Sequence, residues 1–102
     1  MQIIFKPRFV KELSGTLRYI SQHSLYAKDK FADDLLIMIS KKIPQQPFLY
    51  PEFQKMRTPG KVYRKAIFKK KWNVIYKVET NRLIFISIFH SSRDISKMKF
   101  DY

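Results

Sequence analysis

The hydrophobic period of this chain changes once, and that change decides most of what the chain can fold into. Up to Ile43 the apolar residues recur at helical spacing; from Val62 onward they alternate or run together, as in strands. Gln2 to Lys6 is a short apolar segment stopped by Pro7 and reads as a first strand. Val10, Leu13, Leu17 and Ile20 then trace one face of a helix, in which Gly15 costs about 1 kcal/mol relative to alanine. Ser21 to Ser24 is a break, with Ser24 placed to cap a second helix. Leu25, Lys28, Ala32, Leu35, Leu36, Ile39 and Ile43 form the stripe of that helix, which Pro44 is expected to end.

Between Gln45 and Gly60 lie Pro47, Pro51 and Pro59 among aromatic residues. That composition predicts an irregular but ordered connection, since Phe48, Leu49, Tyr50 and Phe53 favour burial. Three strands complete the chain: Val62 to Lys69, Trp72 to Glu79 and Leu83 to His90. Thr80-Asn81 is short enough for a hairpin turn, with Asn81 able to take a positive φ. The dense apolarity of Leu83 to Phe89 predicts a central strand covered on at least one face, and the polar tail from Ser91 has room for one short helix. The fold class is therefore α+β: an N-terminal strand, a helical hairpin, then three strands. The hairpin covers a three- or four-stranded, mainly antiparallel sheet. With 102 residues there is room for one core, so residues 1–102 are a single domain.

Lys and Arg number 21 against 8 Asp and Glu, a formal net charge of +13. So large an excess on so small a body attracts nucleic acid, an acidic protein or an anionic membrane surface. The chain has no cysteine, no signal-peptide pattern at its start and no apolar run near the roughly 18 residues of a membrane span. A cytoplasmic protein without a membrane partner is expected. His23 and His90 lie in different elements without ligand-spaced companions, and two glycines cannot build a phosphate loop, so neither metal nor small-molecule cofactor is expected. Asp33 and Asp34 are adjacent on a helix and point about 100° apart, which rules them out as an acid–base pair.

The second half of the chain carries a resemblance. Arg57-Thr58-Pro59-Gly60-Lys61-Val62-Tyr63-Arg64-Lys65 resembles the lead-in to the second strand of RelE/ParE superfamily toxins. Trp72-Asn73-Val74-Ile75-Tyr76-Lys77-Val78-Glu79 resembles their third strand. Ile84 through Asp94, with His90, Arg93 and Asp94, resembles their last strand and its exit, closer in signature to the ParE side. The order of elements matches over nearly the whole chain. The resemblance implies a growth-inhibiting toxin of a bacterial type II toxin–antitoxin pair, a plasmid-stabilising kind of system, held inactive by a cognate antitoxin. Its target would be DNA gyrase on the ParE branch, or messenger RNA on the ribosome on the RelE branch. RelE-like members resemble one another in placing a tyrosine near the C-terminus. Here Tyr102 lies nine positions beyond Arg93, further than that pattern sets it.

Arg64 and Arg93 are the leading site candidates, since two guanidiniums meeting on the sheet would make a fork of donors for phosphate. Lys65 must point to the opposite face from Arg64. In an RNase, Arg64, Lys65 and Arg93 would orient and neutralise the scissile phosphate while His90 shuttled a proton. Without catalysis His90 would hydrogen-bond its own turn. Lys61 and the run Lys69-Lys70-Lys71, flanked by Phe68 and Trp72, join Arg64 and Arg93 as candidates for binding nucleic acid or the target. A non-toxic, basic nucleic-acid-binding module is the remaining alternative.

Overall fold

A computed structural model describes residues 1–56 and 59–99 of the chain. Arg57, Thr58 and Tyr102, all part of the family resemblance or its departures, lie outside the described residues. Strand β1 (Gln2–Phe5) leads into helix α1 (Pro7–Ser21), with Pro7 in the first turn, where a missing N–H costs nothing. Helix α2 (Leu25–Ile37) begins at Ser24, whose side chain accepts a hydrogen bond from the Ala27 amide at 3.1 Å. Strands β2 (Tyr63–Phe68), β3 (Trp72–Glu79) and β4 (Arg82–His90) complete the sheet.

Pro44 does not end the helical path as expected. Helix α2 widens into a π-helical stretch, Met38–Lys42, and then makes a last turn, Ile43–Gln45, that contains the proline. In a regular α-helix the Pro44 ring would collide with the carbonyl four residues back. The wider turn, closed by the Ile43 amide on the Met38 carbonyl, opens that spacing and keeps Met38, Ile39 and Ile43 all buried.

The sheet has four strands in the order β1-β4-β3-β2 and is mixed, not a three-stranded antiparallel layer. Strands β2, β3 and β4 pair antiparallel, whereas β1 lies parallel to β4, Gln2 opposite Arg82 and Phe5 opposite Phe85. Parallel pairing needs a long crossover, and both helices plus the β2–β3 hairpin supply it. Between β3 and β4 the register slips at Ile75/Tyr76, so that Ile75 faces Ser87 and Tyr76 faces Phe85, with Ile86 extra. The turn after β3 has Asn81 at φ 58°, the left-handed conformation foreseen for it.

Both faces of the sheet are covered. On one face α1, α2 and the last helical turn bury Phe9, Phe31, Leu35 and Ile43 against Ala66, Val74, Tyr76 and Phe85. The other face carries a second cluster, in which Phe53, Met56 and Met98 cover Tyr63, Ile75, Ile84 and Phe89. Neither face of the sheet is therefore left open. Most of the helix stripes lie as expected, Leu13, Leu17 and Ile20 against the core and Leu35, Ile39 and Ile43 within it, but some positions differ. Phe9 and Phe31 are core residues, while Val10, Leu25 and Leu36 face solvent. Of the connecting segment, Phe53 is buried and Tyr50 half-buried, but Phe48 and Leu49 are exposed.

Candidate target-binding surface

Arg64 sits on β2, opposite Tyr76, on the helix-covered side of the sheet. Its Nη1 donates to the carbonyls of Tyr50 at 2.7 Å and Phe48 at 3.3 Å, and its guanidinium lies 5.3 Å from the Phe48 ring centre. Around it the irregular segment docks on the edge of β2: the Lys65 amide donates to the Pro51 carbonyl and the Phe53 amide to the Tyr63 carbonyl. Arg64 is thus spent on holding this connection in place. Lys65 points to the other face, half-buried and opposite Ile75.

Arg93 lies elsewhere. From Phe85, level with Arg64 across the sheet, β4 runs on for five residues to His90, about 16 Å at the usual rise, before the exit that carries Arg93. Strand β3 lies between the strand of Arg64 and the strand whose exit carries Arg93. No fork of guanidiniums forms, because each has its own partner.

Arg93 is held by α1. Its Nη1 donates to Glu12 Oε2 at 3.0 Å. Glu12 Oε1 accepts from Ser87 Oγ at 2.6 Å and from Arg8 Nε at 3.3 Å. A carboxylate this enclosed needs such donors to offset its lost hydration. Neither Glu12 nor Ser87 stands out in the sequence. The available signal was a lone hydroxyl in the apolar run from Leu83 to Phe89, complementary to the only acid of the first helix.

His90 ends β4. Its Nδ1 accepts the Ser92 amide at 3.1 Å and lies 2.7 Å from Ser92 Oγ, and its ring meets Trp72 edge to face at 5.1 Å. The histidine thus bonds within its own turn. Lys61 is exposed near the start of β2. In the β2–β3 turn Lys69 and Lys70 take left-handed φ values of 50° and 66°, unusual for residues with a side chain. Lys69 reaches Asp34 on α2 at 2.7 Å, and this bond, with Lys30, holds the Asp34 carboxyl below the usual aspartate range. Lys70 and Lys71 project into solvent.

A separate apolar cleft of about 240 Å³ opens between the helices, lined by Phe5, Leu13 and Leu17 on one side and Ala32, Leu35, Leu36 and Ile39 on the other. Phe5 and Leu36 are exposed there.

Over residues 3–95 the chain matches the family described as the ParE toxin of type II toxin-antitoxin system, parDE. The chain belongs to the ParE toxin family. No curated protein matches it in a sequence search. Among solved structures it is similar to a conserved hypothetical protein, HP0894, from Helicobacter pylori, determined in solution. That likeness has a TM-score of 0.61 at 19% identity and covers 90% of this chain and 96% of the other, so the two share a fold. Membership makes this ParE-family chain the toxin component of a type II toxin–antitoxin pair, with a cognate antitoxin as partner. Among the described residues no helix is long and apolar enough to cross a membrane.

Proposed function

We propose that this toxin acts on DNA gyrase by binding, without cutting RNA, and that its antitoxin silences it through the apolar cleft between α1 and α2. The observation that carries the reading is the fate of Arg64. Its guanidinium is committed to the Phe48 and Tyr50 carbonyls, away from Arg93 and His90. Charge stabilisation of a scissile phosphate needs donors converging on one point. Arg64, Lys65 and Arg93 are instead spread over two faces and two ends of the sheet. The family favours the same branch.

An antitoxin segment that fills the cleft should be an amphipathic helix with acidic flanks, its apolar side against Leu13, Leu17 and Leu36. The net charge of +13 speeds that encounter. The test is inducible expression with growth, transcript integrity and DNA-damage signalling followed together. Growth arrest with intact transcripts and a damage response is expected. Cleaved transcripts would instead place the protein among the RNases, and unimpaired growth would leave a basic binding module.

A further inference from the structure

Two clefts adjoin along one side of α1. The first, about 600 Å³, lies between Arg8, Lys11 and Glu12 of the helix and Arg93 beyond β4. The second, about 440 Å³, lies between Gly15, Thr16 and Tyr19 of the same helix and Trp72, His90 and Ser92. Arg8, Glu12, Gly15 and Tyr19 recur at helical spacing and so share one face. Glu12 and Thr16 are a turn apart, and Ser92 and Arg93 are chain neighbours, so the clefts form one groove. From Arg8 to Tyr19 it runs about 16 Å along the helix, the length of a few stretched nucleotides.

The ends of the groove differ in chemistry. At the first, Lys11 and Arg93 stand beside the Glu12 carboxylate, which also pairs with Arg8. Glu12 takes only Nη1 of Arg93, whose side chain is 51% exposed, so most of that guanidinium's five donors remain for another acceptor. Lys11 is exposed as well. The second end is aromatic: Trp72 is half-buried against Phe31 and His90, and Tyr19 stands 63% exposed at the rim. Ser92 fixes the His90 ring.

Gly15 lies between the two ends. Glycine is costly in mid-helix, and a Cβ built at Gly15 would meet nothing within 4 Å. Tight packing therefore does not require it, and its effect is to leave the floor of the groove empty.

We propose that this groove binds single-stranded nucleic acid, with phosphodiesters against Lys11 and Arg93 and an unpaired base against Trp72, His90 and Tyr19. Cations beside aromatic platforms are how single strands are held without sequence preference. A duplex hides its base faces, and an acidic peptide lacks the flat ring that the second cleft accommodates. The site is independent of the gyrase reading.

Trp72 is the only tryptophan, so its fluorescence reports directly on stacking. Short mixed-sequence oligonucleotides, DNA and RNA in separate arms, should quench it, and either response supports the site. Affinity should fall roughly tenfold between 50 and 200 mM salt, for about two phosphate contacts. Gly15→Leu should fill the groove and weaken binding at least about tenfold while the melting temperature holds or rises. Gly15→Ala, a smaller change, controls for folding. Lys11→Glu should weaken binding and flatten its salt dependence, while Lys41→Glu, the same charge change on the other helix, should do little. The proposal is overturned by unquenched Trp72 or by wild-type affinity in Gly15→Leu. A duplex or a polyglutamate peptide binding as tightly as the single strand, or equal losses in Lys11→Glu and Lys41→Glu, would also overturn it.

Discussion

Arg93 Nη1 lies 3.0 Å from Glu12 Oε2, a bond that spans 81 residues of sequence and fastens the exit of β4 to the first helix. Glu12 also accepts from Ser87 and Arg8. Its removal would leave a fully buried hydroxyl without its carboxylate and take an anionic acceptor from two guanidiniums. Glu12→Ala should therefore destabilise the fold by about 1–3 kcal/mol, the lower part of the range for breaking buried charged networks, because Arg93 is half in water. Glu12→Gln, which can still accept from Ser87, should lose less. Urea denaturation measures both, and an unchanged midpoint in Glu12→Ala would mean that the network contributes nothing.

Phe85 is the hinge of the packing between layers. It is fully buried, with Phe5, Phe9 and Tyr76 rings at 5.7, 5.8 and 5.8 Å. Truncating a buried phenylalanine costs about 3–5 kcal/mol. The whole domain has about 5–10 kcal/mol, so Phe85→Ala should keep only part of its stability and melt at least about 12 °C lower than the wild type. A sharp, cooperative melt near that of the wild type would contradict this.

These two sites show how far the sequence could be read. The periodicity of β4 placed Phe85 in a central strand, because alternation and apolar density are local properties. The partner of Arg93 was not local: Glu12 lay on the polar side of a helix stripe, and only the tertiary fold brings it under the β4 exit. The same limit explains β1. Its apolar residues predicted a strand, but pairing parallel to β4 depends on the crossover formed by everything between them. Phe9 and Phe31 were missed because each sits one position from the expected stripe, and two leucines on that stripe, Leu25 and Leu36, are exposed. The phosphate fork failed for a physical reason too. A connection dense in proline has few ways to satisfy its carbonyls, and Arg64 is the donor at hand.

Arg64 therefore has a structural prediction attached. Arg64→Ala removes two charged donors from the Phe48 and Tyr50 carbonyls and should cost about 1–3 kcal/mol. It should also speed proteolysis within residues 46–53. Arg64→Lys should recover part of the stability, since a lysine reaches one carbonyl but lacks the planar fork. If Arg64→Ala were as stable and as protease-resistant as the wild type, yet inactive, the residue would belong to the target surface after all.

Tyr76 ties part of the stability of the fold to alkaline pH. Its hydroxyl donates to the Pro47 carbonyl at 2.7 Å, and burial pushes its pKa up to about 12. The folded state thus holds this proton more tightly than the unfolded chain does. The stability tied to it is complete below the ordinary tyrosine pKa and drains away as pH rises from about 10 towards 12. Tyr76→Phe should be less stable at neutral pH by about 1 kcal/mol and should lose less of its remaining stability over that alkaline range. Parallel pH–stability curves for the two proteins would exclude Tyr76 as the cause.

Leu36 tests the antitoxin cleft without disturbing the core. It is 62% exposed on α2 and lines the cleft with Leu13 and Leu17. A charge there has water to face in the free toxin, so Leu36→Asp should shift stability by no more than about 0.5 kcal/mol. In the complex the same carboxylate would be driven into an apolar contact beside an acidic partner, losing hydration and meeting repulsion. Co-expression with the cognate antitoxin should then fail to rescue growth, although the same antitoxin should rescue cells making the unaltered toxin. The order of events also matters: Leu36→Asp expressed alone must still arrest growth, or the failure of rescue means nothing. Full rescue of an active Leu36→Asp toxin would place the antitoxin on another face of the domain.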